Sequence, residues 1–97
     1  MADLSYVSSL VLHAIASGQG YGFQIMEAAG LPSGTVYPAL RKLEKAKLIR
    51  SQWEHAAIAR AGQRPPRRYY QITAEAEPAL AAAALKYRLP EFTPKES

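Results

Sequence analysis

SGTVYPALRKLEK, residues 33–45, is the stretch on which the reading of this chain turns. Val36, Leu40 and Leu43 stand at i, i+4 and i+7, so a helix over 34–46 has one apolar side. Thr35, Tyr37, Pro38, Arg41, Lys42 and Lys45 fall on the other side. Leu31 and Pro32 make a tight turn ahead of it. Ser33 then stands where an N-cap hydroxyl accepts from the free backbone N–H groups of a first turn. Pro38 fits such a helix only near its first turn, because an interior proline removes a hydrogen bond. A short helix with an apolar back and a basic front is shaped for the groove of a polyanion.

Working outward, Leu4, Val7, Leu10, Val11, Ala14 and Ile15 recur at helical spacing over 4–17, with Asp3 placed as N-cap and Gly18 as a stop. A second helix fits 21–29, with Tyr21, Ile25 and Met26 turned inward and Gly30 closing it. Beyond 34–46 the period changes to two. Ile49, Ser51 and Trp53 share one side of a strand, and Arg50, Gln52 and Glu54 the other. In a second strand over 68–72, Tyr70 and Ile72 face one way, Tyr69 and Gln71 the other. Between them, 55–66 holds Gly62, Pro65 and Pro66 and no strong helix cap, which reads as a long flexible hairpin loop. Thr73 is placed to cap a last helix with Glu75 and Glu77 in its first turn, where the helix dipole favours anions. Pro78 either bends this helix or opens it afresh. The order predicts a mainly α fold with a small β-hairpin: a winged helix-turn-helix over 1–73, one C-terminal dimerisation helix over 74–90, and a polar tail over 91–97.

The charge is distributed unevenly. The 97 residues hold 12 Lys and Arg against 8 Asp and Glu, a net +4. Residues 41–72 alone carry Arg41, Lys42, Lys45, Lys47, Arg50, Arg60, Arg64, Arg67 and Arg68 against Glu44 and Glu54, a net +7. The flanking thirds are slightly acidic. A basic block of this kind implies a polyanionic partner. Without cysteine there is no disulfide, thiolate metal cluster or Cys nucleophile. His13 and His55 lie far apart in sequence, and the glycines at 18, 20 and 22 lack the strand and spacing of a dinucleotide fingerprint. These features point away from an enzyme, a cofactor or a metal. No apolar run approaches the length of a membrane span and no signal peptide is seen, so a cytoplasmic protein is expected.

In a winged helix-turn-helix, the helix of 34–46 enters the major groove and the hairpin lies against the backbone or minor groove. Ser33, Thr35, Tyr37, Pro38 and Arg41 are then the candidates for bases and nearby phosphates. Lys42, Lys45, Arg64, Arg67 and Arg68 are candidates for the backbone. Each also has a plainer reading. Tyr37 could pack on the second helix, Lys45 and Lys47 could be solvated, and Arg68 could stack on Tyr70 or brace the hairpin. Trp53 suits the core or a subunit interface better than a stacking platform. The apolar stripes of the first and last helices exceed what one short helix needs for its own core. Leu4, Val7, Val11, Leu80, Ala84, Leu85 and Tyr87 are therefore expected at a dimer interface. Tyr6, His13, Trp53, Tyr87 and Phe92 are aromatic groups that could line an effector cavity.

The run GTVYPALRKLE at 34–44 resembles the recognition helix of PadR-family transcriptional regulators. PRRYYQIT at 66–73 resembles that family's second wing strand and the cap of its last helix, and Tyr21-Gly22 matches its short second helix. The resemblance covers about residues 4–80. It implies a homodimeric repressor of a pseudo-palindromic double-stranded operator, released from DNA by a small aromatic or lipophilic effector bound near the dimer interface. Departures from the family pattern are Lys47 in place of a helix-ending glycine, Arg64-Pro65-Pro66 in place of a Gly-Arg-Pro lead-in, and Ala76 in place of a glycine. The last helix is also short, as in the family's small-sized branch. The competing readings are a winged helix that binds only protein, and a metal-responsive winged helix.

Overall fold

The computed structural model describes residues 4–89. It contains α1 (Tyr6–Ala16), α2 (Gly22–Ala29), α3 (Ser33–Lys45), β1 (Ile49–Trp53), α4 (Ala56–Ala61), β2 (Arg68–Ile72) and α5 (Ala76–Tyr87). α1 is the hub, touching α2, α3, α5 and β2. Val11 and Leu12 are fully buried on it, and Ile25 of α2, Val36, Leu40 and Leu43 of α3, and Leu80 of α5 pack into the same core. The fold is mainly helical with one two-stranded antiparallel hairpin, the winged helix-turn-helix class. Cutting Leu40 or Leu43 back to alanine would open a cavity costing about 2–5 kcal/mol.

β1 and β2 pair from Ile49 opposite Ile72 to Trp53 opposite Arg68. The expected alternation holds at the inner end, where Ile49 and Tyr70 are buried. An isolated bridge from Tyr21 to Tyr69, with the Tyr70 N–H donating to the Gly20 carbonyl at 2.7 Å, ties the start of α2 to the outer edge of β2. The outer edge of the wing is thereby fastened to the helix-turn-helix.

The helix ends differ from expectation in several places. Ser5, rather than Asp3, caps α1, its hydroxyl accepting from the Ser8 N–H at 3.1 Å; Asp3 lies outside the described residues. Ser33 does not cap α3. Pro32 occupies the N-cap position and Ser33 is already helical, because the rigid extended proline supplies the entry geometry without a side-chain bond. Pro38 is consequently in the second turn, not the first, and α3 forgoes the bond an N–H there would make to the Gly34 carbonyl. Thr73 is not the cap of α5 either. Its hydroxyl bonds the Lys47 carbonyl at 2.7 Å and the Leu48 carbonyl at 3.2 Å, joining the end of the wing to the end of α3, while Glu75 takes the N-cap position. Pro78 neither kinks α5 nor opens it. It is the third residue of the helix, where its missing N–H would have had no helical partner.

The segment 55–66 is not a flexible loop. Ala56–Ala61 forms α4, capped by His55, whose Nδ1 accepts from the Ala57 N–H at 3.1 Å. The alanines favour helix, and Ala59 is buried beneath it. An imidazole acceptor is an uncommon cap, and this is why the segment reads as capless in the sequence.

Lys47, where a glycine would be usual, adopts left-handed backbone at φ 63°. The helix nevertheless ends in a Schellman arrangement, with the Lys47 N–H on the Glu44 carbonyl and the Leu48 N–H on the Leu43 carbonyl, both at 3.0 Å. A Cβ in this conformation costs about 1–2 kcal/mol, against roughly 0.5–1 kcal/mol of extra chain entropy that a glycine would lose on folding. Lys47→Gly is therefore expected to raise the unfolding free energy by about 0.5–1 kcal/mol in urea titrations; a destabilised variant would show that the lysine side chain, not the turn, is what matters there.

Candidate nucleic-acid interface

With Val36, Ala39, Leu40 and Leu43 buried, α3 presents Tyr37, Pro38, Arg41, Lys42 and Lys45 to solvent. Ser33 is exposed at its first turn and Thr35 half-buried. The structure thus puts seven expected contact residues on one helix, five of them along its outer face.

Tyr37 is 43% exposed, yet its hydroxyl end lies directly over Gly22 at the start of α2, where a Cβ would collide with it. The glycine allows the recognition-type helix and α2 to approach, and the ring serves both readings at once: packed on α2 and open to a ligand. Beside it, Tyr70 is buried in the base of the hairpin, and burial pushes its phenol up against the opposing pull of Arg68.

The wing arginines divide into two groups. Arg64 is committed internally. It grips the Glu54 carboxylate with both Nη atoms, Nη1 on Oε1 and Nη2 on Oε2 at 2.8 Å. Glu54 also accepts from the Arg67 backbone N–H at 3.3 Å and the Tyr69 hydroxyl at 3.4 Å. This ties both arms of the wing below α4. The sequence assigned Arg64 to a phosphate, but the structure places it on this carboxylate, ten residues earlier. Arg67 and Arg68 are held but open. The Arg67 guanidinium lies 4.1 Å over the Tyr21 ring, which itself meets Tyr69 edge-on at 5.6 Å. Arg68 donates to the Ser51 hydroxyl at 2.8 Å and to Glu44 at 3.3 Å, and Ser51 donates to Glu44 at 2.6 Å. Its guanidinium also sits 5.8 Å from both the Trp53 and the Tyr70 ring centres. Both anticipated roles of Arg68, stacking and bracing, are present.

Glu44 and Glu54, the two acids of the basic block, are therefore both engaged with wing arginines. Trp53 is not in the core of the chain: it is 64% exposed, since β1 runs out beyond the core before reaching it. It borders an open cleft of about 730 Å³ between α2, α3 and the wing. Among the described residues no cluster of His, Asp and Glu could hold a metal, and no helix is long and apolar enough to cross a membrane.

On the other side of the molecule, Leu85 is 84% exposed on α5. Tyr87 meets Tyr6 edge-on at 5.2 Å and donates its hydroxyl to the Leu4 carbonyl at 2.9 Å. Leu4, Val7 and Ala84 are half-buried around them. Val11 and Leu80, expected at a dimer interface, are buried in the chain's own core, because the α1–α5 contact uses them first. Of the aromatic groups expected around an effector, Tyr6, His13 and Tyr87 lie on α1 and α5 and Trp53 on the wing; Phe92 lies outside the described residues.

Arg64 holds the Glu54 carboxyl down to about 2, with the Arg67 N–H adding to it and desolvation opposing. A depressed carboxylate contributes stability above the unfolded-chain value near 4.5 and loses it as pH falls through about 2. The urea midpoint of the wild type is expected to exceed that of Glu54→Gln at pH 6, with the gap closing between about pH 4.5 and pH 2. A gap that persists unchanged to pH 2 would contradict the assignment of the latch to the ionised carboxylate.

The PadR-like family of transcriptional regulators matches the sequence over residues 11–82. A PadR family transcription regulator from hypervirulent Clostridium difficile R20291 shares the fold with TM-score 0.72 at 25% identity, over 87% of this chain and 88% of that one. The protein smu.1704 from Streptococcus mutans UA159 gives TM-score 0.66 at 25% identity, over 90% and 82%. ZitR of Lactococcus lactis, solved in complex with DNA, gives TM-score 0.67 at 22% identity over 90% of this chain. This chain spans 55% of the length of ZitR. No curated protein matches the sequence. The family is one of transcriptional regulators rather than enzymes. Its match extends from within α1 into α5, taking in the helix-turn-helix and the whole wing, and the chain belongs to the PadR-like family.

Proposed function

We propose that the chain is a sequence-specific DNA-binding regulator, a ligand-responsive homodimeric repressor of a pseudo-palindromic operator. The observation that carries this reading is the outer face of α3, basic and exposed, with Glu44 of α3 and Glu54 of the wing both already paired with wing arginines. The DNA complex of ZitR, a protein of the same fold, supports it. In this reading Ser33, Thr35, Tyr37, Pro38 and Arg41 meet base edges and the nearest phosphates. Lys42, Lys45, Arg67 and Arg68 neutralise backbone phosphates, contributing affinity without sequence information. Arg64 acts indirectly, by holding the wing through Glu54. A DNA-binding unit over 1–73 and a dimerisation helix over 74–90 then form the working division of the chain.

The dimer is proposed through α1 and α5. Leu85 and Tyr6 are large apolar groups left in water on this side, and Leu4, Val7, Ala84 and Tyr87 border them. A two-fold partner covering this face would set two copies of α3 about one DNA turn apart, roughly 34 Å. An aromatic or lipophilic effector entering between the two copies, near Tyr6 and Tyr87, would change that spacing and release the operator.

Affinity for duplex DNA is expected to fall steeply with salt, by roughly 0.9 log units per phosphate contact per log unit. Arg41→Ala should lower specific binding more than nonspecific binding, whereas Lys45→Ala should lower both and reduce the slope by about one contact. Gel retardation and anisotropy check this, and the absence of salt-sensitive retention would favour a protein-only module. Leu85→Glu should convert the dimer to a folded monomer by light scattering; a surviving dimer would move the interface elsewhere.

A further inference from the structure

The residues so far assigned to DNA leave a large feature of the same face unused. Three aromatic rings stand in solvent around the cleft between α2, α3 and the wing: Phe23 at 60% exposure, Tyr37 at 43% and Trp53 at 64%. Exposed apolar groups occurring singly need no explanation, but three large rings facing one cleft mark a binding surface. The same cleft is lined by Arg67 and Arg68, each already oriented by stacking, Arg67 on Tyr21 and Arg68 near Trp53. The acids that could oppose an anionic occupant are tied up: Glu54 by Arg64 and Glu44 by Ser51 and Arg68. An occupant must therefore be anionic along one side and apolar or planar along another.

We propose that this cleft seats one sugar–phosphate strand of the duplex where it passes from the groove read by α3 to the groove met by the wing. Trp53 is the contact that locks it. This rests on the DNA-binding reading above and adds a residue which the charge pattern does not reveal. Arg67 and Arg68 take the phosphates, while the Trp53 indole and the Phe23 ring pack on the apolar faces of the deoxyriboses. Charge complementarity selects DNA over an apolar protein segment, since such a segment would bury the Arg67 guanidinium, which lies over the Tyr21 ring, without an anion, and would leave Arg68 only its surface pair with Glu44. The distances from Arg68 to Trp53 explain how the ring is held ready. Trp53 ends β1 opposite Arg68 in the ladder, so the guanidinium and the indole are presented together, a cation and a flat apolar surface side by side.

Trp53 is the only tryptophan in the chain, so its emission reports this cleft alone. The full chain is titrated with a fluorophore-labelled duplex of about 30 base pairs, three helical turns, and indole emission and label anisotropy are read together. The expected result is a change in Trp53 emission and protection from acrylamide, with the same midpoint as the anisotropy rise. Trp53→Ala should weaken binding about tenfold, within the range of a lost aromatic contact to nucleic acid, and Trp53→Phe should restore most of it. Trp53→Phe also keeps the test decisive if Trp53→Ala fails to fold. Anisotropy that rises while indole emission and acrylamide access stay unchanged would overturn the role of Trp53 and leave the DNA-binding reading standing. No rise in anisotropy at low salt would overturn both.

Discussion

The burial of Val36, Ala39, Leu40 and Leu43 against α1 and its neighbours sets the rotation of α3, and the helix face proposed to meet DNA follows from that rotation. A helix has one face to give to the core. Once these four residues take it, Tyr37, Arg41, Lys42 and Lys45 have nowhere to go but water. The core is small, and α1 supplies most of its other wall with Val11, Leu12 and Ile15. A turn of α3 by one residue would bury Arg41 and expose Leu40, so the hydrophobic term that stabilises the fold also fixes which side chains a partner meets.

The wing depends on a second constraint, the placement of two carboxylates, its own Glu54 and Glu44 of α3. Glu54 joins Arg64, the Arg67 N–H and Tyr69, and so closes a segment that contains two prolines and a six-residue helix. Glu44 reaches from α3 to Arg68 and Ser51, coupling the recognition-type helix to the hairpin. A basic surface near a polyanion needs its arginines pre-positioned, because ordering long side chains on binding is costly in entropy. Here much of that ordering is already present in the free chain. The bracing pairs at the surface are individually weak; what they set is direction.

Much of this was legible in the sequence. The apolar spacing of Val36, Leu40 and Leu43, the change of period at Ile49 and the concentration of charge over 41–72 gave the class, the order of every element but α4 and the exposed face of α3. What escaped was local chemistry with unusual donors and contacts between distant residues. α4 was hidden because histidine is a rare cap, although the alanine-rich run at 56–61 was a signal for it. Ser33 and Thr73 looked like caps, but a proline and a tertiary contact took precedence. The Arg64–Glu54 and Arg68–Glu44 pairs span ten and twenty-four positions, and no periodicity connects such residues. Trp53 followed the alternation of β1 correctly, yet the core ended before the strand did.

The account centres on α3 as the element that reads sequence, in a dimer that presents two copies of it. Selection from a random pool of duplexes, bound and recovered at low and then moderate salt, tests this most directly. The account predicts enrichment of an inverted repeat whose half-sites are centred about 10 base pairs apart, or a multiple of that. It also predicts that enrichment is lost in Arg41→Ala, while nonspecific retention persists. A pool that stays random through repeated rounds, with no duplex held more tightly than any other, would contradict it.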